Sequence, residues 1–453
     1  MKDLDGAEEK MNKHFYLGPM HILKIFAVLY PICPGYFSIG GMQVRELILT
    51  ITAIMLILLS KTIVVTKKDR SYPVFFEIMI WSGIFALIQI YHSEWIILLS
   101  QVMLWIVVIF FGSKVINTKE RFLEIVDCLI WGGIFVGLCG LAEEFTHFNF
   151  FSLINTIGTK MNYNPNRLGI LRIISFTSHA ISYGCYCMII LTMVAYRLTI
   201  EKKRFLYFAG VLMLVNEVFA MSRGPMIGLA IEGVLILWFS GHQAFLKKVF
   251  KWIMVLVIMV LLACVVSNKV RTTVKLSGYV VLAMFDDDYA ARLAEYGFKD
   301  NAGGIGNRID LYKWVYEEAQ DSLWLGKGAY KQFEHKFINS GGYVQTKSSI
   351  EVEWLRTFFR YGYIGLYAEI FLYLALILHS LYKKLKTPTE WEGHLSYARV
   401  VAALLIGYVV VMFSVMQNQE VQALSVVILL LVAYARNKAN DDSVNEYETV
   451  RSN

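Results

Sequence analysis

Stretches almost free of charge recur from one end of this chain to the other. Ile48–Leu59, Leu99–Gly112 and Val421–Ala435 contain no Asp, Glu, Lys or Arg. A bilayer core needs roughly 20 apolar residues per helix, and about a dozen windows reach or approach that length. Charged residues make up only 17% of the 453 residues, against about 25% in a soluble domain. The pattern therefore excludes an ordinary soluble globule and predicts an all-α integral membrane protein. The polar N-terminus shows no small-residue cleavage site after the first apolar run, so that run is read as a retained anchor.

Helices are expected near 20–36, 44–62, 72–91, 94–113, 122–142, 175–197, 205–222, 225–242, 251–268, 352–381, 396–416 and 420–435. The segments that follow the even-numbered helices are all basic: KTIVVTKKDR, SKVINTKER, RLTIEKKR, KKVFK, KKLK and RNK. The alternate connections around 33–43, 92–93 and 417–419 carry no Lys or Arg. Because cytoplasmic loops collect Lys and Arg, this alternation places both termini in the cytoplasm and predicts about twelve transmembrane helices. The net charge of +7 then needs no nucleic acid to explain it.

Residues 1–267 form the first nine helices, with an outer loop over 143–175. Residues 268–351 form one large extracytoplasmic loop, 352–436 the last three helices, and 437–453 a cytoplasmic tail. Within the large loop, Arg308–Gln320 is amphipathic, with Ile309, Tyr312 and Tyr316 on one stripe. Cys33, Cys128, Cys139, Cys185, Cys187 and Cys264 fall almost wholly in apolar segments and read as small core residues rather than disulfides or metal ligands.

Arginines gather on the outer face, where the same charge rule disfavours them. Arg167 and Arg172 precede the sixth helix, Arg223 sits in the turn Ser222-Arg223-Gly224-Pro225, and Arg308 opens the amphipathic segment. Arg356 and Arg360 share a face at the start of the tenth helix. Each alone is explained by snorkelling or by pairing with a carboxylate. Together they point to an anionic ligand, since the guanidinium fork binds phosphate oxygens bidentately.

Glu217 and Glu232 lie within apolar helices, where they either support Arg223 or rest as buried acids. Glu351 and Glu353, with Arg356 one turn on, offer a general base for a sugar hydroxyl. His335, in the large loop, is a second candidate. Asp286-Asp287-Asp288 and Gly303-Gly304-Ile305-Gly306 lack the context of a metal or phosphate loop, so no metal or other cofactor is expected.

The chain resembles the bacterial O-antigen and capsular repeat-unit polymerase (Wzy) and O-antigen ligase superfamily from about Leu141 to Ala435. The likeness rests on Arg172-x3-Phe176-x2-His179, Ser222-Arg223-Gly224-Pro225, Arg308-x5-Trp314, Trp324-Leu325-Gly326-Lys327-Gly328 and Glu351-x10-Gly362-x2-Gly365. Ligases of this superfamily usually carry a histidine where Glu351 stands, which tilts the reading to a polymerase. The resemblance implies a glycosyltransferase of the bacterial cytoplasmic membrane. It would move an oligosaccharide from undecaprenyl diphosphate to a sugar hydroxyl of another lipid-linked repeat, on the outer face and without metal. Arg172, Arg223, Arg308 and Arg167 would hold the diphosphate, with Arg356, Arg360, Glu217 and Glu232 in support. A chain-length regulator is a further partner the resemblance admits. A ligase with a lipid A core or protein acceptor, or a lipid-linked oligosaccharide transporter, are the alternatives.

Overall fold

The computed structural model describes residues 18–59, 73–158, 171–242, 306–338, 344–389, 392–413 and 415–452, with isolated positions 247, 251 and 275. The chain is mostly helical. Its main elements are α1 (Pro19–Ile32), α2 (Val44–Leu58), α3 (Pro73–Tyr91), α4 (Trp95–Val115), α5 (Lys119–Thr146), α6 (Ala180–Ile200), α7 (Arg204–Ala220), α8 (Arg223–Phe239), α9 (Gly306–Ala319), α10 (Glu353–Leu381), α11 (Tyr397–Met412) and α12 (Val421–Ser452). Two small antiparallel hairpins join them: β1 (Ser38–Ile39) with β2 (Met42–Gln43), and β3 (His335–Ile338) with β4 (Val344–Lys347). The sequence reading contained neither hairpin.

Six helices are long and apolar enough to cross a bilayer: α3, α4, α5, α6, α10 and the first part of α12. The apolar α1 and α11 are shorter, as are α2 with 15 residues and α7 and α8 with 17 each. The expected ninth helix, all but one residue of the 268–305 part of the large loop, Cys264, and Asp286-Asp287-Asp288 lie outside the described residues.

Contacts sort the connections into two ends. At one, Ser38 N donates to Thr156 Oγ1 (2.7 Å), Ser178 N to Gln419 Oε1 (3.1 Å), and His92 Nε2 meets Leu325 O (2.9 Å). At the other, Arg436 donates to Ser113 O (3.2 Å), Asn437 to Ile116 O (3.0 Å) and Arg399 to Phe239 O (3.0 Å). The connections expected to lack Lys and Arg meet at the first end, and the described basic connections lie at the second.

Element boundaries differ from expectation where single residues intervene. α1 ends at Ile32 rather than near 36, because Pro34 restricts Cys33 to extended backbone. α5 starts at the Thr118 cap and runs to Thr146, so the outer loop opens later than 143. α6 starts at Ala180, not 175. Before it, Glu143 accepts from Ser175 N (2.8 Å), Ile174 N (3.3 Å) and Asn149 Nδ2 (2.9 Å), and this holds 171–179 out of helix. In α9 the buried stripe is Leu311, Val315 and Ala319, while Tyr312 and Tyr316 are exposed. That stripe packs with Phe333, Val352, Leu355 and Phe359 in a small core of its own, which fastens the loop to the start of α10.

α10 is not one straight helix. Gly362 sits at φ 65°, ψ −166°, a region essentially restricted to glycine. Thr357 Oγ1 donates to Glu369 Oε2 at 2.5 Å. Twelve residues of straight helix span about 18 Å, so the chain folds back sharply at this elbow. The backbone groups freed there are taken up by Trp324-Leu325-Gly326-Lys327-Gly328. Lys327 N donates to Phe359 O, Gly328 N to Arg360 O and Tyr363 N to Leu323 O, each at 2.8 Å. A Cβ on Gly362 would strike the Trp324 carbonyl, and one on Gly326 (φ 72°) the Arg360 carbonyl. Gly362→Ala is therefore expected to destabilise the protein by about 3 kcal/mol or more, seen as a lower unfolding temperature in detergent; an unchanged melt would remove the elbow from the stability of the fold.

Candidate diphosphate-binding cavity

The first arm of α10, from Glu353 to Tyr361, carries Arg356 and Arg360 to a cavity of about 410 Å³. α2 contributes Arg45 and Glu46, α3 contributes Trp81 and Gln89, and α4 contributes Gln101 and Trp105. A second hollow of about 320 Å³ shares Arg45, Arg356, Gln417 and Asn418 and extends to Ser178 and Gln419. Three guanidinium groups thus converge at the end of the bundle where the connections expected to lack Lys and Arg meet.

Their partners differ. Arg356 Nη2 donates to Glu353 (2.6 Å to Oε2) and to Gln417 O (2.8 Å), and Glu353 Oε2 also accepts from Gln417 N (2.7 Å). Glu353 is almost fully buried, and these contacts fix Arg356 against the 417–420 turn. Arg45 and Arg360 belong to no ion pair among the described residues. Two arginines lining a cavity without a carboxylate partner are suited to a multiply charged anion, because the ligand rather than the protein then neutralises them. Glu46 lines the same cavity and limits its net positive charge, and Glu369, held by Thr357, lines it as well.

The residues singled out in the sequence are distributed unevenly around it. Arg356, Arg360 and Glu353 line the cavity. Arg172 does not; it is buried and donates from Nε to Ala220 O (3.2 Å) and from Nη2 to Ser222 Oγ (3.1 Å). Its guanidinium clasps the carbonyl end of α7, a place that favours a cation. Arg223 is the first residue of α8 and is also absent from the cavity wall. Arg167 lies outside the described residues, and of Arg308 only the backbone, in α9, is described.

Of the two roles expected for Glu217 and Glu232, their contacts fit buried acids. Among the described residues neither oxygen of Glu217 has a hydrogen-bond partner, and Glu232 Oε2 accepts from Thr192 (2.5 Å). Both are buried in the bundle, where helix packing rather than the outer turn sets their surroundings. Glu351 is 53% exposed and pairs with Lys347 (2.5 Å) outside the cavity wall. His335 stacks on Trp314 (5.1 Å between centroids), bonds Glu318 (3.1 Å) and lies away from the cavity.

Sequence reasoning missed Arg45, Glu46 and the Gln417–Glu420 turn. Arg45 falls just inside the second helix, so a charge count over connections passes it by; its place in the first helical turn after a connection free of Lys and Arg was the available signal. Nothing in the local sequence tells that Gln417 meets Glu353 across 64 positions.

Burial raises the Glu420 carboxyl to about 7, helped by the neighbouring Glu353 and opposed by the Asn418 N–H and Arg356. A raised acid binds its proton more tightly in the folded state, so stability from this group is greatest at low pH and falls as pH rises from about 4.5 to 7. Glu420→Gln is expected to melt higher than the unsubstituted protein at pH 8 and with little difference at pH 5. Equal melting at pH 8 would show that the carboxyl ionises there without cost.

No curated protein sequence matches the chain. Residues 208–369, less than half of it, match a family model described as O-antigen ligase (Wzy_C). The matched segment holds Ser222-Arg223-Gly224-Pro225, Trp324-Leu325-Gly326-Lys327-Gly328, the Gly362 elbow, Glu353, Arg356 and Arg360, and it supports the O-antigen polymerase and ligase superfamily for this protein.

Proposed function

We propose that the protein is a glycan polymerase that transfers an oligosaccharide from undecaprenyl diphosphate to a sugar hydroxyl of another lipid-linked repeat, on the outer face of the cytoplasmic membrane. The observation that carries this reading is the convergence of Arg45, Arg356 and Arg360 on one cavity, two of them without an ion-pair partner among the described residues. In this reaction the acceptor oxygen attacks the anomeric carbon, the bond from that carbon to the diphosphate oxygen breaks, and the electron pair departs with undecaprenyl diphosphate. Fixed cations at the diphosphate stabilise the charge that develops on it. Glu353 positions Arg356. Glu351, just before the start of α10, takes the hydroxyl proton; its charge reaches His179, whose imidazole is held below its usual value by burial and by Arg172. Arg172, which clasps the end of α7, and Arg223, at the start of α8, lie outside the cavity wall and take no part in holding the diphosphate in this reading.

A ligase acting on lipid A core or on protein is the second reading, favoured by the description of the matching family model. A carboxylate at Glu351 in place of the histidine usual in ligases weighs for the polymerase.

The test is a product ladder from purified protein supplied with the host's undecaprenyl-diphosphate-linked repeat unit, with EDTA and no nucleotide sugar. Bands spaced by one repeat are expected; product only after adding lipid A core or a protein acceptor would favour the ligase. Loss of one such donor typically lowers turnover about 10²–10³-fold, so Arg360→Ala and Arg45→Ala should each approach that loss, with lysine restoring part of it. Full turnover in both alanine variants would end the proposal for this cavity. Glu351→Gln should lower turnover with lipid diphosphate binding retained, and normal turnover would reassign the base.

A further inference from the structure

The cavity continues past the arginines into a region that a diphosphate does not need. There Gln89, only 2% exposed, donates from Nε2 to Gln101 Oε1 (2.8 Å), and Gln101 Nε2 donates to Ser82 O (2.9 Å). Both amide groups of Gln101 are thereby engaged, which fixes which end of the Gln89 amide faces Gln101. Among the described residues, Gln89 Oε1 is left buried without a partner, and so is Trp81 Nε1. Trp81 meets Trp105 edge to face at 5.1 Å, and Trp105 lies in a π-helical stretch of α4, Val102–Val108. Such irregular turns recur at functional sites. An unsatisfied buried acceptor or donor costs about 1–3 kcal/mol, so an oriented pair of them beside a cavity calls for a ligand that supplies both complements.

We infer that the α3–α4 end of the cavity, built on Gln89, Gln101, Trp81 and Trp105, is a pyranose subsite for the sugar attached directly to the lipid diphosphate. A sugar hydroxyl donates to Gln89 Oε1 while another accepts from Trp81 Nε1, and the sugar's C–H face packs on the indoles. The isoprenoid tail is the competing occupant, but hydrocarbon would leave the amide and the indole N–H unsatisfied. This subsite rests on the diphosphate reading of Arg45 and Arg360, and its residues lie outside the matched segment 208–369.

Binding separates the two. The protein in detergent is titrated with the host's undecaprenyl-diphosphate-linked repeat unit and, separately, with bare undecaprenyl diphosphate. The expected result is tighter binding of the sugar-bearing lipid. Gln89→Leu and Trp81→Phe should each weaken that lipid roughly fivefold or more and leave bare undecaprenyl diphosphate unchanged. Arg360→Ala should weaken both lipids. Melting of Gln89→Leu at or above that of the unsubstituted protein would show that the loss is not one of folding. Equal affinity for the two lipids, or weakening of both by Gln89→Leu, would overturn the subsite while leaving the arginine cavity standing. Binding of neither lipid would overturn both.

Discussion

The backbone junction between Trp324-Leu325-Gly326-Lys327-Gly328 and the Gly362 elbow is the constraint from which the geometry of the cavity follows. Breaking a helix within a membrane exposes N–H and C=O groups that no water can satisfy. Here the loop supplies the missing partners, at 2.8 Å for Phe359 O, Arg360 O and Tyr363 N. Both strands of the junction need a glycine, because the backbones approach more closely than any Cβ permits. With the break satisfied, the first arm of α10 folds back against the second, and Arg356 and Arg360 face α2, α3 and α4 instead of lipid. A straight α10 would hold Thr357 and Glu369 about three turns, or about 18 Å, apart along the helix.

Elsewhere in the bundle, carboxylates act as braces. Glu353 joins Arg356 to the Gln417 backbone, Glu143 holds the extended segment before α6, and Arg197 meets Asp127 through two contacts of 2.6 and 2.8 Å at the opposite end. Each brace compensates a charge that would be costly to bury alone. Arg172 follows the same logic, since its guanidinium meets the carbonyl end of α7. By contrast Arg45 and Arg360 have no carboxylate partner among the described residues, and that inequality among the arginines is what marks the cavity.

The alternation of basic and uncharged connections was legible because topology depends on charge counted over short loops, and the contacts group those connections as the count requires. The amphipathic segment in the large loop was legible too, yet its buried side is Leu311, Val315 and Ala319 and not the tyrosine stripe. Aromatic residues carry enough apolar surface to suggest either face, and only packing against Phe333 and Leu355 selects one. The arginines expected on the outer face were read as one group, but the described ones separate, Arg172 clasping the end of α7 and Arg356 and Arg360 lining the cavity.

Sequence by itself determined that this is a helical membrane protein, that Arg356 and Arg360 share a helix face, and that glycines recur at 326, 328, 362 and 365. Each follows from composition or short-range pattern, which the bilayer translates directly into structure. Tertiary structure decided which arginines share a cavity, because Arg45 and Arg360 are brought together by a fold-back at one glycine and by a loop that runs past it. It also decided that Glu353 faces Gln417 and that Glu217 meets no hydrogen-bonding group among the described residues. Such pairings are set by the packing of helices distant in sequence, and no local spacing encodes them.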